Sequence, residues 1–308
     1  MKHVFIVGCP RSGTSWLQLL LAQHPSVATT QETHLFSTYL RPLCGQWERM
    51  RSRDIGMGQL LSDDGFYQLC AEFAAKVLQH IADSNPAATA VVEKTPAHVR
   101  VADLIVRLVP DAVFVHLVRD PRAVVSSLRA AADSWGTSWA SPSVRANAEL
   151  WVSDVTLGRG IAALTPRWKE VRYEDLRGGG GIDAFVDLLA WLEMPGGREF
   201  AAGALETCRI DRLRAGGDGV RGYEGLSRPK GFFRKGTTDA WRSELSRREL
   251  EVVEYIAGPL MRRYGYEPET STDGRKPLRL SIADAIDRAD RGMRTGLDKV
   301  AGRCKSFV

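Results

Sequence analysis

The chain contains 308 residues, of which 44% are apolar and 26% are charged, and its formal net charge is +5. No apolar run reaches the roughly 18 residues of a membrane-spanning helix. The first predicted strand begins at Val4, so we expect a globular cytoplasmic protein without a signal peptide. Residues 271–308 hold nine Lys and Arg against five Asp, an excess of +4. The remaining chain is therefore close to neutral, which argues against a nucleic-acid-binding protein.

The cysteines are scattered along the chain and form no C-x-x-C pair. This pattern favours reduced thiols over a disulfide framework or a zinc site. Cys9 lies in a loop where a reactive thiol is conceivable, but a small residue filling a turn is the simpler interpretation. The five positions are Cys9, Cys44, Cys70, Cys208 and Cys304.

The first motif combines a strand, a short loop and a helix. Residues 4–7 are continuously apolar, which predicts a strand buried on both faces of a parallel sheet. Residues 14–23 predict a helix that ends before Pro25. In this layout, backbone N–H groups and the positive end of the helix face an anion. The loop lacks the lysine of the pattern G-x-x-x-x-G-K-[ST], and Arg11 supplies the cation instead. A tight turn without a ligand remains the alternative.

The segment after the first helix carries the next candidate residues. Glu32 and His34 are predicted to lie at the mouth of a cleft, where the carboxyl ends of parallel strands converge. Residues 37–64 contain Pro and Gly at irregular positions, which is typical of a lid or a binding loop. We expect this segment and the loop at residues 209–230 to shape an acceptor pocket.

A helix and a strand are predicted next. Residues 90–92 are a predicted strand that ends at Glu93 and Lys94, and we expect Lys94 to face the cleft. Thr95 is the predicted N-cap of a helix that starts at Pro96. Residues 65–82 predict a helix whose buried face consists of Phe66, Leu69, Phe73, Val77 and Ile81.

A third strand is predicted over residues 112–118. Its one polar side chain, His116, is expected to be a hydrogen-bonded core residue. Arg119 follows the strand, and Ser127 lies in the next helix, so both could contact one anion. Alternatively, Arg119 pairs with Asp120 or caps that helix.

The rest of the chain continues the alternation of helices and strands and ends in a basic tail. Arg234, Lys235 and Gly236 place two cations beside a backbone that a phosphate can approach closely. Residues 269–308 predict a basic amphipathic helical tail, separate from the domain at residues 1–268. We expect the tail to dock on that domain; a homodimer contact or a weak contact with an anionic surface is an alternative. The other predictions are helices at 143–164, 182–192 and 245–264, a strand at 168–173 and a glycine-rich loop at 209–230.

Four of these motifs together resemble those of the sulfotransferases that use 3′-phosphoadenosine 5′-phosphosulfate (PAPS). The 5′-phosphosulfate loop of that family, P-[KR]-S-G-T-[ST]-W, matches residues 10–16. The family's Arg and Ser that bind the 3′-phosphate match Arg119 and Ser127. Its R-K-G motif matches residues 234–236, and its Y-E-D-L segment matches residues 173–176.

The resemblance implies a three-layer α/β fold with a central parallel sheet, a P-loop-like 5′-phosphosulfate loop, and PAPS as co-substrate without a metal. Trp16 would then stack on the adenine, although a core anchor is the alternative. Tyr173 would line the nucleotide pocket. The implied nucleotide-binding residues are Arg11, Ser12, Gly13, Thr14, Ser15, Trp16, Arg119, Ser127, Tyr173, Arg234, Lys235 and Gly236.

The catalytic base differs among subfamilies. Small-molecule enzymes carry a histidine two positions after the lysine, where this chain has Pro96. Glu32 matches the glutamate of tyrosylprotein and heparan sulfate 3-O-sulfotransferases and is the expected base. His34 and His98 are second choices for the base and candidates for substrate contact. Arg11 and Lys94 would neutralise charge on the transferring group.

Two other functions remain open at this stage. A P-loop kinase or NTPase would require a metal-binding aspartate after a strand, for which Asp120 is the candidate. A non-catalytic nucleotide-binding module would not need Glu32. The acceptor, a small molecule, glycan or lipid with a hydroxyl rather than an amine, is not identified by the sequence.

Overall fold

A central parallel sheet organises the computed structural model, which describes residues 1–223, 229 and 231–270. The strand order is β2-β3-β1-β4-β5, and every neighbouring pair is parallel. The strands are β1 (Lys2–Val7), β2 (Val27–Thr29), β3 (Ala90–Lys94), β4 (Val113–Val118) and β5 (Trp168–Arg172). The α/β fold predicted from the sequence is confirmed.

Helices cover both faces of the sheet. They are α1 (Thr14–Ala22), α2 (Arg41–Met50), α3 (Asp63–Ala82), α4 (Ala102–Leu108), α5 (Pro121–Ala132), α6 (Val144–Gly160), α7 (Tyr173–Arg177), α8 (Gly181–Trp191), α9 (Arg198–Thr207), α10 (Ile210–Arg214), α11 (Trp241–Glu244) and α12 (Arg247–Arg263). A π-helical segment, Leu35–Leu40, precedes α2, and a 3₁₀ segment, Pro96–Val101, precedes α4. Within the described residues, no helix is both long enough and apolar enough to cross a membrane.

The side chains of β1 show why the sheet is buried on both sides. Val4 and Ile6 pack with α1 and α8 in one core cluster. Phe5 and Val7 point the other way and pack with α3 and α4 in a second cluster. This alternation follows from the two-residue period of a strand, and it explains why the sequence is continuously apolar there. Burial of each such side chain contributes about 1.5–3 kcal/mol.

The segment predicted to be an irregular lid is instead largely helical. It contains α2, whose Cys44 and Trp47 are buried against the core. The Trp47 ring stacks on Phe66 of α3 at a centroid distance of 4.4 Å. The expectation of a lid is wrong because large apolar side chains of α2 find partners on α3, which Pro and Gly positions alone do not reveal.

The buried face of α3 also differs from the prediction. Leu69 and Phe73, assigned to the core, are each 51% exposed. The face that packs inward contains the small residues Cys70 and Ala74, which allow α3 to approach the sheet closely. The largest apolar side chains of α3 therefore indicate a face that is only partly the buried one.

Two predicted boundaries change as well. A helical segment starts at Pro96 with Thr95 at its N-cap position, as predicted, but the segment is 3₁₀ and α4 begins only at Ala102. The Thr95 hydroxyl donates to Glu93 and forms no cap. The predicted strand over 168–173 ends at Arg172, since α7 begins at Tyr173. Most of the basic tail, residues 271–308, lies outside the described residues, as do residues 224–228 and 230 of the glycine-rich loop.

Candidate active site

A cavity of about 860 Å³ opens at the carboxyl end of the sheet. It is lined by residues that follow β1, β2, β3, β4 and β5, as expected for a parallel sheet. Residues 36–64 do not line it, so the expectation that they shape an acceptor pocket is wrong. The predicted site residues that line the cavity are Arg11, Gly13, Thr14, Ser15, Trp16, Glu32, His34, Lys94, Arg119, Ser127, Tyr173, Arg234, Lys235 and Gly236.

Arg11 is the central cation of the cavity. Its Nε donates to Ser127 Oγ at 3.1 Å, and its Nη2 donates to the carbonyl oxygen of Phe232 at 2.7 Å. The guanidinium also lies 5.2 Å from the Trp135 ring centroid. Burial, together with the nearby charges of Arg119 and Arg234, lowers the pKa of Arg11 to about 10. A bound anion would relieve this repulsion among three arginines.

Gly13 ends the loop in a left-handed conformation, with φ of 98°. A Cβ there would lie 2.5 Å from Cδ2 of the Tyr173 ring, so glycine is required by both the backbone and the packing. No side chain caps the N-terminus of α1, which begins here and faces the cavity with Thr14 and Ser15. Such an uncapped end attracts anions.

Ser12 differs from its neighbours in the loop. It is fully buried and does not line the cavity, and its Oγ has no hydrogen-bond partner within the described residues. The structure therefore does not bring this predicted ligand residue to the cavity surface.

Arg119 joins the loop to the C-terminal motif. Its Nη1 donates to the Arg11 carbonyl oxygen at 3.3 Å, and its Nη2 donates to the Thr237 carbonyl oxygen at 3.0 Å. The guanidinium lies 4.4 Å from the Tyr173 ring centroid. Its Nε is buried without a hydrogen-bond partner in the described part of the chain. An orphaned charged donor of this kind is what an anionic ligand would stabilise.

Asp120 does not pair with Arg119. Its carboxylate caps α5 and forms an ion pair with Arg122 at 2.7 Å, and Arg122 also pairs with Glu254. Asp120 is only 5% exposed and does not line the cavity. The interpretations in which it pairs with Arg119 or binds a catalytic metal are therefore wrong. Among the described residues, no group of three or more His, Cys, Asp or Glu side chains could hold a metal ion.

Glu244 does not line the cavity, but it holds two of the cavity's cations and was not predicted from the sequence. Arg234 donates to it through two nitrogens, each at 2.7 Å, and Lys235 Nζ lies 2.9 Å from it. Ser126 also donates to this carboxylate. Burial raises the pKa of Glu244, but these partners lower it to about 2. No local pattern marks Glu244, because it lies ten residues after Arg234.

Glu32 and Lys94 form the second charged group in the cavity. Lys94 Nζ donates to Glu32 Oε1 at 2.5 Å, and His34 Nε2 lies 3.4 Å from Glu32 Oε2. The Glu32 side chain is 34% exposed and can therefore reach a ligand. These positions agree with the predicted cleft, while the chemical roles of the three residues stay predictions.

Glu93 and His98 form a buried pair behind the cavity. His98 Nδ1 lies 2.9 Å from Glu93, and its Nε2 accepts from the Phe36 N–H. Burial alone would raise the pKa of Glu93, but His98 and hydrogen bonds from Thr95 and Thr33 lower it to about 2. His98 is fully buried and does not line the cavity. The expectation that it acts as a base or contacts substrate is corrected, because both ring nitrogens are used inside the core.

Trp16 is a core residue that also reaches the cavity. The indole is 2% exposed, and its Nε1 donates to the Cys208 carbonyl oxygen, so it is a core anchor. It also lines the cavity and packs edge-on against Tyr173 at a centroid distance of 5.5 Å. Adenine stacking on Trp16 stays a prediction.

His116 and Cys9, which had both a structural and a functional interpretation, are core residues. His116 is fully buried and lies 3.1 Å from Glu170, as expected for a hydrogen-bonded core histidine. Cys9 is fully buried, and this burial raises the pKa of its thiol well above its usual range, as expected for a small residue that fills a turn. The four cysteines that the structure describes are buried and free.

The comparisons with known sequences identify a family. The model of the Sulfotransferase family matches residues 3–178, more than half of the chain. The chain is 27% identical over 289 residues to the nodulation protein NoeE of Sinorhizobium fredii, covering 85% of this chain and 65% of that protein. It is 31% identical over 133 residues to a protein-tyrosine sulfotransferase of Drosophila melanogaster, covering 42% of this chain and 25% of that protein. The chain thus spans less than two thirds of either relative.

Solved structures support the fold. The sulfotransferase domain from the curacin biosynthetic pathway has a TM-score of 0.53 and 22% identity, covering 86% of this chain and 98% of that domain. Mouse sulfotransferase SULT7A1, solved with PAP, has a TM-score of 0.54 and 14% identity, covering 89% of this chain and 87% of that protein. At such identities the likeness concerns the architecture alone.

Proposed function

The chain belongs to the sulfotransferase family, and we propose that it transfers a sulfuryl group from PAPS to a hydroxyl group of an acceptor bound in the same cavity. The observation that carries this proposal is the convergence of Arg11, Arg119 and Arg234 on one cavity that also contains the Glu32–Lys94 pair. Cations from three distant parts of the chain suit a donor with phosphate-like groups at two ends.

The nucleotide fits the residues present. The loop of Arg11 and the uncapped start of α1 suit the 5′-phosphosulfate, since both favour negative charge. The 3′-phosphate is suited by Arg119, Ser127 and Arg234. The buried Nε atoms of both arginines have no hydrogen-bond partner within the described residues, and a bound phosphate would supply one. A volume of about 860 Å³ lies within the usual range for ligand sites, roughly 300–1,000 Å³.

Glu32 is the proposed general base. It is the carboxylate in the cavity that lies beside Lys94 and remains partly exposed, whereas Glu93 is held in the core. Glu32 accepts the proton of the acceptor hydroxyl as the new oxygen–sulfur bond forms. The bond between sulfur and the 5′-phosphate oxygen breaks, and its electron pair leaves with 3′-phosphoadenosine 5′-phosphate (PAP). Arg11 and Lys94 stabilise the charge on the sulfuryl and leaving oxygens.

Calorimetry tests the donor assignment. PAP without added metal is expected to bind more tightly than ATP with magnesium, because three arginines serve the two ends of PAP. Arg119→Ala is expected to weaken PAP binding, while Arg198→Ala, on the exposed surface of α9, serves as the control. Tighter binding of ATP with magnesium would contradict the proposal.

Glu32→Gln tests the base. The variant retains the shape of the side chain but cannot take a proton, so we expect kcat to fall by about 10²- to 10⁴-fold. PAP affinity should change little. Glu72→Gln, on the exposed side of α3, is the matched control and should leave both quantities unchanged. Undiminished turnover in Glu32→Gln would assign the base to another residue, with His34 the nearest candidate.

A further inference from the structure

One part of the cavity is explained by none of the four motifs. It is formed by the segment after β3, the loop after α5 and the first turns of α6. We name it the aromatic arm and define it by Pro96, Ala97, Trp135, Trp139, Asn147 and Leu150.

The arm starts at the proposed reaction centre. The Trp135 ring lies 5.2 Å from the Arg11 guanidinium and 5.3 Å from the Phe232 ring. Trp139 continues the aromatic surface outward at a centroid distance of 5.4 Å from Trp135. Trp139 is 48% exposed, so it forms an outer end of the arm. A molecule in the arm would therefore extend from the sulfuryl position toward solvent.

The wall of the arm formed by α6 and the segment Pro96–Val101 is held in place by an ion pair. Asn147, Leu150 and Asp154 lie on one face of α6, at spacings of three and four residues. Arg100 donates two hydrogen bonds to Asp154, at 2.7 and 2.8 Å. This bidentate contact fixes the segment Pro96–Val101 against α6 and gives the arm a preformed shape.

Two polar side chains of this region are engaged by the protein itself. Asn147 Nδ2 donates to the Ser141 carbonyl oxygen at 2.8 Å, and Arg100 is engaged with Asp154. A ligand in the arm therefore meets mainly indole rings and aliphatic carbon. A sugar needs hydrogen-bond partners for most of its hydroxyl groups when water is removed, and the arm offers few.

We propose that the aromatic arm binds the body of the acceptor, and that the acceptor is a hydroxylated molecule with a flat apolar body, such as a phenol or a fused-ring alcohol. This inference rests on the proposed function and specifies its acceptor class. The aromatic rings of Trp135 and Trp139 suit stacked or edge-on contacts with such a body.

The test compares two probes in the PAP-loaded protein, 2-naphthol and methyl glucoside. Calorimetry is expected to show binding of 2-naphthol and at least tenfold weaker binding of methyl glucoside. With PAPS as donor, sulfated 2-naphthol should be the preferred product. Trp139→Ala should raise the KM for 2-naphthol by about tenfold, while kcat changes little. Since Trp139 is half exposed, the variant is expected to fold.

Two matched substitutions on α6 distinguish an effect on the aromatic arm from a general effect on the helix. Leu150→Ala should raise the same KM, whereas Leu157→Ala, which is 44% exposed and outside the cavity, should not. PAP affinity should be unchanged in all three variants. Preferred binding of methyl glucoside, no binding of 2-naphthol, or insensitivity of its binding to Trp139→Ala would overturn the inference. A wild-type protein that does not bind PAP would instead overturn the proposed function.

Discussion

Replacement of Glu93 by Gln tests the buried pair that supports the candidate site. Glu93 Oε1 accepts from the Thr33 N–H and from the hydroxyls of Thr33 and Thr95, while Oε2 faces His98 Nδ1. The Phe36 N–H donates to His98 Nε2, which leaves Nδ1 as the ring nitrogen that donates to Glu93. A glutamine amide has one acceptor and one donor end. Either orientation therefore places its NH₂ group against at least one of these donors.

The size of the effect follows from the pKa of Glu93. It is about 2, compared with the usual 4.5. Each pKa unit corresponds to about 1.4 kcal/mol. The difference between 4.5 and about 2 means that ionised Glu93 contributes about 3.5 kcal/mol to the free energy of unfolding, with no solvent screening because the residue is buried. This agrees with the roughly 3–5 kcal/mol that is lost when one partner of a buried pair is removed.

The pH dependence has a defined sign. The folded-state pKa is depressed, so the stabilisation is complete above the unfolded pKa of about 4.5 and is lost as the pH falls toward about 2. Wild type and Glu93→Gln should therefore differ most at neutral pH, and by pH ~3 the difference should fall to less than half.

Urea unfolding at the two pH values measures both quantities. Glu193→Gln is the control, because that carboxylate is also ion-paired, with Lys2, but lies on the surface. The control should unfold like wild type. A Glu93→Gln variant that loses under about 1 kcal/mol at pH 7, or a difference that does not shrink at pH 3, would refute the reasoning.

Two further substitutions test the loop and the C-terminal motif. Gly13→Ala should weaken PAP binding by at least about tenfold, because its Cβ would meet the buried Tyr173 ring. Gly56 also has a positive φ, but its added Cβ would have no atom within 4 Å, so Gly56→Ala should cost about 1–3 kcal/mol of backbone strain and leave PAP binding unchanged. Equal effects of the two on PAP binding would argue against this packing. Glu244→Gln removes a negative charge beside Arg234 and leaves this arginine more available to phosphate. PAP should therefore bind about five- to tenfold more tightly, and its affinity should fall more steeply with salt concentration. Weaker PAP binding in calorimetry would instead indicate that Glu244 orients the arginine.

The sequence alone determined the layers of the fold and the edge of the sheet at which the site lies. Apolar runs such as residues 4–7 can be buried only between two layers, and motifs that follow such strands converge at their carboxyl ends. The positions of Arg11 and Arg119 in one cavity follow from this topology, because each residue follows a strand. Arg234 lies between α10 and α11, and only its resemblance to the R-K-G motif indicated that it belongs to the same cavity. These features depend on side-chain type and order along the chain, which is why they can be predicted.

The tertiary structure decided which side chains meet across the chain. The inward face of α3 depends on how closely Cys70 and Ala74 approach the sheet, and large apolar residues gave a misleading indication. His98 lies in the core instead of the cavity because its ring contacts Glu93 and the Phe36 N–H. Such choices depend on distances between residues far apart in sequence, where packing and hydrogen-bond geometry override local patterns.

The aromatic arm is a second feature that the sequence did not reveal and the tertiary structure did. Trp135 and Trp139 carry no motif, and only the packing of the loop after α5 places them beside Arg11. The charged motifs therefore identify the chemistry from sequence, since charge and spacing are local properties. The apolar surface that selects an acceptor forms only when separate helices and loops come together.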